Sequence, residues 1–234
     1  MEGESTRKLG EGYKVYYTGE DTRRNRVGII FHPDLQETVT EVQRIRKRLM
    51  GLKFIKDKRV WHISSYPPQQ GCSEEEKEKF RGKLEEYIER SELLVLSGDM
   101  DAHVGESSDG FEGIHEGRGF GRRNQEGNRL LELADAMNLV VLNTQFEKRD
   151  HLVTYKSGQN ETQIDYILVR KDCKVIPNES VVAQHKLVVA DSRLKAIRKR
   201  KTPTRNMRIK TWKLKGEKAR EFRSGKSQRR ERCK

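Results

Sequence analysis

Along the 234-residue chain the spacing of apolar positions changes several times, and each change marks an expected element. Short runs rich in β-branched and aromatic residues come first: YKVYY at 13–17, VGIIF at 27–31 and VWHISS at 60–65. Their length and composition predict strands. The first two flank TGEDTRRNR, a polar, turn-forming stretch that predicts a hairpin. Residues 38–56 alternate weakly and predict two further strands. A helix follows over about 73–90: Ser73 and Glu76 form an S-x-x-E capping box, and Phe80, Leu84, Tyr87 and Ile88 recur at helical spacing. LLVL at 93–96 is too short for a helix and apolar on both sides, so it predicts a buried central strand.

Residues 105–123, GESSDGFEGIHEGRGFGRR, predict a long surface loop. The stretch lacks the GK[ST] ending of a phosphate-binding loop, and no small-molecule cofactor motif is expected. A second helix is expected over 125–137, with Asn124 as N-cap and Leu130, Leu131, Leu133, Ala134 and Met137 on its buried side. Residues 139–142, 152–156, 164–169 and 186–190 read as strands. Strands joined mostly by loops, with two long helices among them, predict an α/β sandwich of two sheets flanked by helices.

Composition adds a division. Hydrophobic residues are 33% of the chain and charged residues 36%, a lean allowance for a core. Residues 195–234 hold 18 Lys or Arg and 3 Glu, a net of +15, so residues 1–194 carry −2 of the total +13. A near-neutral body with a strongly basic, partly disordered linker or tail is expected, and such a tail seeks phosphate backbones. Arg198, Lys199 and Arg200, in KAIRKRK, are candidate nucleic-acid contacts or a nuclear localisation signal; a solvated extension accounts for them equally well. Cys72, Cys173 and Cys233 are odd in number and far apart, which favours a reducing compartment, nuclear or cytoplasmic. No apolar run approaches ~18 residues and MEGESTRKLGEGYK has no apolar signal core, so neither a membrane span nor a signal peptide is expected.

Four stretches carry candidate chemistry. In LSGDMDAHVG, Asp99 and Asp101 leave the end of the buried strand two residues apart, so on an extended backbone both face one side. Carboxylates there could hold a hard cation or orient a water nucleophile; an ordinary Gly-Asp turn is the competing account. In TQIDYILV, Ile164, Tyr166 and Leu168 share one face and Asp165 lies on the other with Ile167 and Val169. An acid in an apolar strand needs a partner, naturally a histidine, unless the strand is a solvated edge. His185 stands at the entry to KLVVA, where a filler role competes with that partnership. In SYPPQQG, Tyr66 could donate a hydrogen bond to a phosphate oxygen, although the prolines alone would make a plain turn.

Taken in order, SYPPQQG, LSGDMDAHVG, NTQF, TYKSG, QIDYIL and QHKLVV resemble the endonuclease/exonuclease/phosphatase superfamily. GYKVYYTG, GRRNQEGNRLLELADAMNLVVLNTQF and TYKSGQNETQIDYILVRKD are similar to the endonuclease domain of RTE-type non-LTR retrotransposons and to the craniofacial development protein 2 family of host proteins. The resemblance covers about residues 8–194. It implies a DNase I-like two-sheet fold and hydrolysis of DNA phosphodiesters with Mg2+ or Mn2+. It also implies roles: Asp99 orients or deprotonates water and binds metal beside Gln184; Asp165 orients His185, which contacts the scissile phosphate; Tyr66 contacts the phosphate. Gln69 lies where many relatives carry a DNA-contacting Asn, and Asp101 stands where Asn is usual.

The same resemblance implies departures. An Asn on the family's first strand and a metal-binding Glu on its next precede GYKVYY, and Glu2 and Glu4 lie in no strand-like context. An N-terminally truncated domain is therefore expected, with metal binding and activity weakened or absent. The competing expectation is a non-catalytic relic or domesticated module that binds nucleic acid or protein.

Overall fold

The computed structural model describes residues 6–18, 26–55, 58–69, 71–89, 93–145, 152–171, 174–178 and 189–193. In chain order the elements are β1 (Thr6–Lys8), β2 (Lys14–Tyr17), β3 (Gly28–Phe31), β4 (Val39–Arg46), β5 (Leu49–Ile55), β6 (Arg59–Ser65), α1 (Glu74–Glu89), β7 (Leu94–Asp99), α2 (Gln125–Ala136), β8 (Leu139–Val141), β9 (Tyr155–Ser157), β10 (Asn160–Thr162), β11 (Asp165–Arg170), β12 (Lys174–Asn178) and β13 (Val189–Arg193). A six-stranded sheet runs β4-β5-β6-β7-β11-β8, a three-stranded sheet runs β1-β2-β3, and β9–β10 and β12–β13 form separate pairs. Among the described strands only β6 and β7 pair in parallel, and α1 connects them, as a parallel crossover requires.

The period-2 pattern explains the layers. Trp61 and Ile63, Leu94 and Leu96, and Tyr166 and Leu168 point from the six-stranded sheet into one core cluster with Phe80, Leu84 and Ile88 of α1 and Leu130, Leu131, Leu133 and Ala134 of α2. Met50 and Leu52 point the other way and meet Tyr16, Ile29 and Phe31 of the small sheet. Val60, Val95, Ile167 and Val169 continue that second face. The result is a mixed α/β sandwich, with both described helices on the outer face of the larger sheet.

Both helices start where their caps are. The Ser73 hydroxyl accepts from the Glu76 N–H at 3.3 Å. The Asn124 carboxamide oxygen accepts from Gly127 N–H at 2.7 Å and from His103 N–H at 3.1 Å, so one side chain caps α2 and holds the strand exit from β7. Between the helices, Glu126 contacts Lys77 at 3.2 Å, Arg81 at 3.5 Å and Arg129 at 2.8 Å, and Arg129 reaches Glu74 at 3.0 Å.

The expected elements and the observed ones differ in specific places. The strand expected over 152–156 is displaced to β9, because Thr154 is buried and its hydroxyl is engaged by the start of β11. The strand expected over 186–190 is observed from Val189, with 186–188 outside the described residues. Strands β1, β10 and β12 are short, with little apolar period to announce them. The 105–123 loop carries no helix or strand, yet it buries His115 completely. His115 Nδ1 accepts from Gly117 N–H at 2.9 Å, which leaves Nε2–H to donate to the Gly105 carbonyl at 2.8 Å. Among the described residues no helix is long and apolar enough to cross a membrane. The chain divides into Met1–Ile197 and Arg198–Lys234. The expectations for the tail, including Arg198, Lys199 and Arg200, lie outside the described residues.

This packing generates two predictions. A Cβ added to Gly98, whose φ is +147°, would sit 1.8 Å from the Ser65 carbonyl oxygen. Gly98→Ala therefore forces β6 and β7 apart, and a loss of about 3 kcal/mol is expected in chemical denaturation. The second concerns pH. Burial pushes the His115 imidazole below its ordinary value and pushes His62, which bonds Ser97 Oγ at 2.8 Å, down from 6.5 to about 4. Each then binds fewer protons folded than unfolded, so stability rises with pH. The contribution is complete above about pH 6.5 and is lost as pH falls towards about 4. In His62→Gln, the acid side of a melting-temperature profile is expected to flatten; an unchanged slope would contradict this assignment.

Candidate active site

Tyr66, Asp99 and Asp165 lie at one end of the six-stranded sheet. β6 and β7 run parallel, so Tyr66, one residue past β6, and Asp99, the last residue of β7, leave the sheet together. β11 is antiparallel to β7 and begins there: Asp165 is the direct ladder partner of Asp99. Ends of strands where neighbouring chains exit are where open sheets gather ligands.

Asp165 is held at its backbone from both sides. Thr154 Oγ1 accepts from the N–H groups of Ile164 and Asp165, both at 3.0 Å. Asn143, just past β8, donates through Nδ2 to the Asp165 carbonyl at 3.0 Å and accepts from Ile167 N–H at 2.9 Å. Farther back, the buried Tyr166 hydroxyl donates to the Gln163 carbonyl at 2.8 Å and accepts from Val104 N–H at 3.3 Å. Tyr166 thus pins the segment entering β11 to the segment leaving β7. Burial, helped by the Asp165 charge, raises its phenol far above the ordinary value.

Asp101 corrects the expectation of an extended backbone. β7 ends at Asp99, and Asp101 has φ +45°, in the left-handed region, so simple alternation does not place the two acids. The Asp101 N–H donates to Asp99 Oδ1 at 2.9 Å. This is the local turn chemistry of an Asx residue, and Asp and Asn are the non-glycine residues that best tolerate this conformation. The turn and the strand-end acid are therefore both real. They bring both carboxylates to Tyr66, whose phenol is raised first by burial and then by the charges of Asp99 and Asp101, against the opposing pull of Arg48. Tyr66 stays a neutral hydrogen-bond donor at neutral pH. Its oxygen accepts from Gln69 Nε2 at 2.6 Å.

Two contributors carried no local signal in the sequence: Asn143 and Arg48. The Arg48 carbonyl accepts from Tyr66 N–H at 2.9 Å, and its guanidinium lies 5.1 Å from the Tyr66 ring centre. Leu49 pairs with Ser65, and that register brings Arg48 beside Tyr66. His185 and Gln184 lie outside the described residues. Among the described residues no group of three His, Cys, Asp or Glu side chains is arranged to hold a metal ion. One or two carboxylates with substrate phosphate and water suffice to hold Mg2+, so Asp99 and Asp165, facing each other at the strand ends, fit the divalent cation that the resemblance implies.

No family model matches the sequence, and no curated protein matches it. Solved structures do. The endonuclease domain of TRAS1, a telomere-specific non-LTR retrotransposon, superposes with a TM-score of 0.50 at 15% identity over 77% of this chain and 81% of that one. The 3′ phosphatase NExo from Neisseria, bound to a product DNA hairpin, gives 0.55 at 17% identity, over 78% and 80%. D. rerio TDP2 complexed with a single-strand DNA product gives 0.50 at 14% identity, over 75% and 70%. The strand order, the helices on the larger sheet and these superpositions together show that the chain shares the fold of these solved structures, a DNase I-like α/β sandwich.

Proposed function

We propose that the chain is a DNA phosphodiesterase module of the endonuclease kind found in non-LTR retrotransposons, spanning about residues 8–194. One observation carries the reading: Tyr66, Asp99, Asp101 and Asp165 converge where β6, β7 and β11 meet. The fold neighbours support DNA as the substrate class, since one is a retrotransposon endonuclease and two hold DNA products. The basic stretch 195–234 would add sequence-independent affinity for the phosphate backbone.

In this reading Asp99 orients an attacking water and takes its proton as the nucleophile forms. Tyr66, kept protonated, donates to a non-bridging phosphate oxygen. Asp165 positions His185, whose imidazolium stabilises the charge that develops on the phosphate. Gln69 extends the row of donors through the Tyr66 oxygen. The implied ion, Mg2+ or Mn2+, would neutralise phosphate charge when bound. A second reading, a non-catalytic module binding nucleic acid, draws on the net charge of +15 over residues 195–234.

Nicking of supercoiled plasmid, with Mg2+, with Mn2+ and with chelator, separates the readings. Conversion to open circles is expected with a divalent ion. Asp99→Asn, Asp165→Asn and His185→Ala should each slow it roughly 100-fold or more. Equal nicking by the parent and all three variants would overturn the catalytic reading. Salt-sensitive DNA binding without nicking would establish the second. Asp101→Asn offers a finer check: the side chain tolerates the same left-handed backbone while a negative charge beside Tyr66 is removed. A KM for DNA lower by a few-fold is the expected result, with kcat little changed.

A further inference from the structure

Beside the candidate site the surface opens into a groove of about 490 Å³, lined by Arg46, Lys47, Arg48, Pro68, Glu76, Lys79 and Phe80. Two elements build its walls. The turn between β4 and β5 supplies Arg46, Lys47 and Arg48, and the first two turns of α1 supply Glu76, Lys79 and Phe80. Pro68 and Phe80 are buried and form an apolar floor. Four cations face one carboxylate across it.

What sets these cations apart is their lack of acidic partners. α1 is rich in Glu, and its other cations are paired: Lys77 with Glu74 and Glu126, Arg81 with Glu78 and Glu126, Lys83 with Glu86. Arg46, Lys47 and Lys79 are exposed and make no salt bridge among the described residues. Three like charges held along one groove repel each other, a cost that a polyanion relieves on binding. The groove also continues into the candidate site, because Arg48 lines it while stacking on Tyr66 and donating to the Pro67 carbonyl at 3.4 Å.

We propose that this groove is a second phosphate subsite, which holds the backbone of the DNA strand flanking the scissile phosphate. The proposal rests on the nuclease reading and adds to it a surface that sets affinity and not chemistry. Arg46, Lys47 and Lys79 hold flanking phosphates, Pro68 and Phe80 underlie the sugar, and Arg48 joins the subsite to the catalytic phenol. The groove lies wholly in the body of the chain, so a large part of DNA affinity does not depend on the basic stretch 195–234.

The test is the full chain with Arg46→Gln, Lys47→Gln and Lys79→Gln combined, three exposed positions whose replacement leaves the core untouched. Lys83→Gln, which removes a paired cation, is the control. Duplex binding is measured by fluorescence anisotropy across a salt series, and turnover is measured on DNA and on bis(4-nitrophenyl) phosphate, a diester too small to reach the groove. In the triple variant the slope of log affinity against log salt should shrink by about 2–3, close to 0.9 for each phosphate no longer neutralised. KM for DNA should rise roughly 10-fold with kcat unchanged, and turnover of the small diester should stay at the parent value. An unchanged salt slope and KM would overturn the subsite, as would an equal loss on both substrates. If the parent hydrolyses neither substrate, the nuclease reading fails, and the salt slopes of parent and variant still decide the groove.

Discussion

The site exists because two backbones come closer at Gly98 than any side chain would permit. The carbonyl of Ser65 occupies the space where a Cβ on Gly98 would stand, at 1.8 Å. Each of these two residues is followed by one of the proposed chemistry: Ser65 by Tyr66, Gly98 by Asp99. Parallel pairing from Trp61–Leu94 to Ser64–Ser97 delivers both strand ends at the same height, and the missing side chain lets the ladder stay closed to its last rung. A phenol and a carboxylate distant in sequence are thereby set side by side by main-chain geometry, which loses less entropy on binding than two mobile side chains would.

The next constraint is electrostatic. Asp99 and Asp165 oppose each other across an antiparallel rung, a pairing of two acidic residues that does not favour the sheet. A sheet chosen for stability alone would put Thr or Val there. This one instead commits Thr154 and Asn143 to holding the backbone around Asp165, with four hydrogen bonds between them. Rigid backbone support beneath a facing pair of acids is what a binding site requires, because it holds both positions in place before a ligand arrives. Asp101 adds a third carboxylate at a left-handed backbone position, where Asp and Asn are interchangeable conformationally but not electrically.

Much of this was legible in the chain because it is local. Capping residues and a 3.6 period mark α1 and α2, and a dense apolar run marks β7. Strict alternation assigned Tyr166 and Ile167 to opposite faces, as observed, and Asp165 goes with Ile167. What escaped was set by long-range register. Arg48 sits in RIRKRL, within the weakly alternating stretch 38–56; only the pairing of Leu49 with Ser65 brings it to Tyr66. Asn143 follows an ordinary strand, and its importance appears once β8 lies beside β11. His115 lies in a glycine-rich polar loop whose composition predicts exposure. It is buried because two backbone groups of that loop satisfy both ring nitrogens, a closure that no periodicity encodes.

Charge placement ties these observations together. An acidic centre repels the polyanion it is proposed to cut, so cations must stand close enough to offset that repulsion. Net charge cannot do this: residues 1–194 sum to −2, and screening confines a charge to about 8 Å at physiological salt. The chain solves the problem by segregation. Between the helices, Glu74 of α1 and Glu126 of α2 absorb Lys77, Arg81 and Arg129, which leaves Lys79 of α1 lining the groove. A near-neutral body thereby keeps a local positive field next to its acids. Arg48, touching both the groove and the Tyr66 ring, marks the boundary between attraction and chemistry.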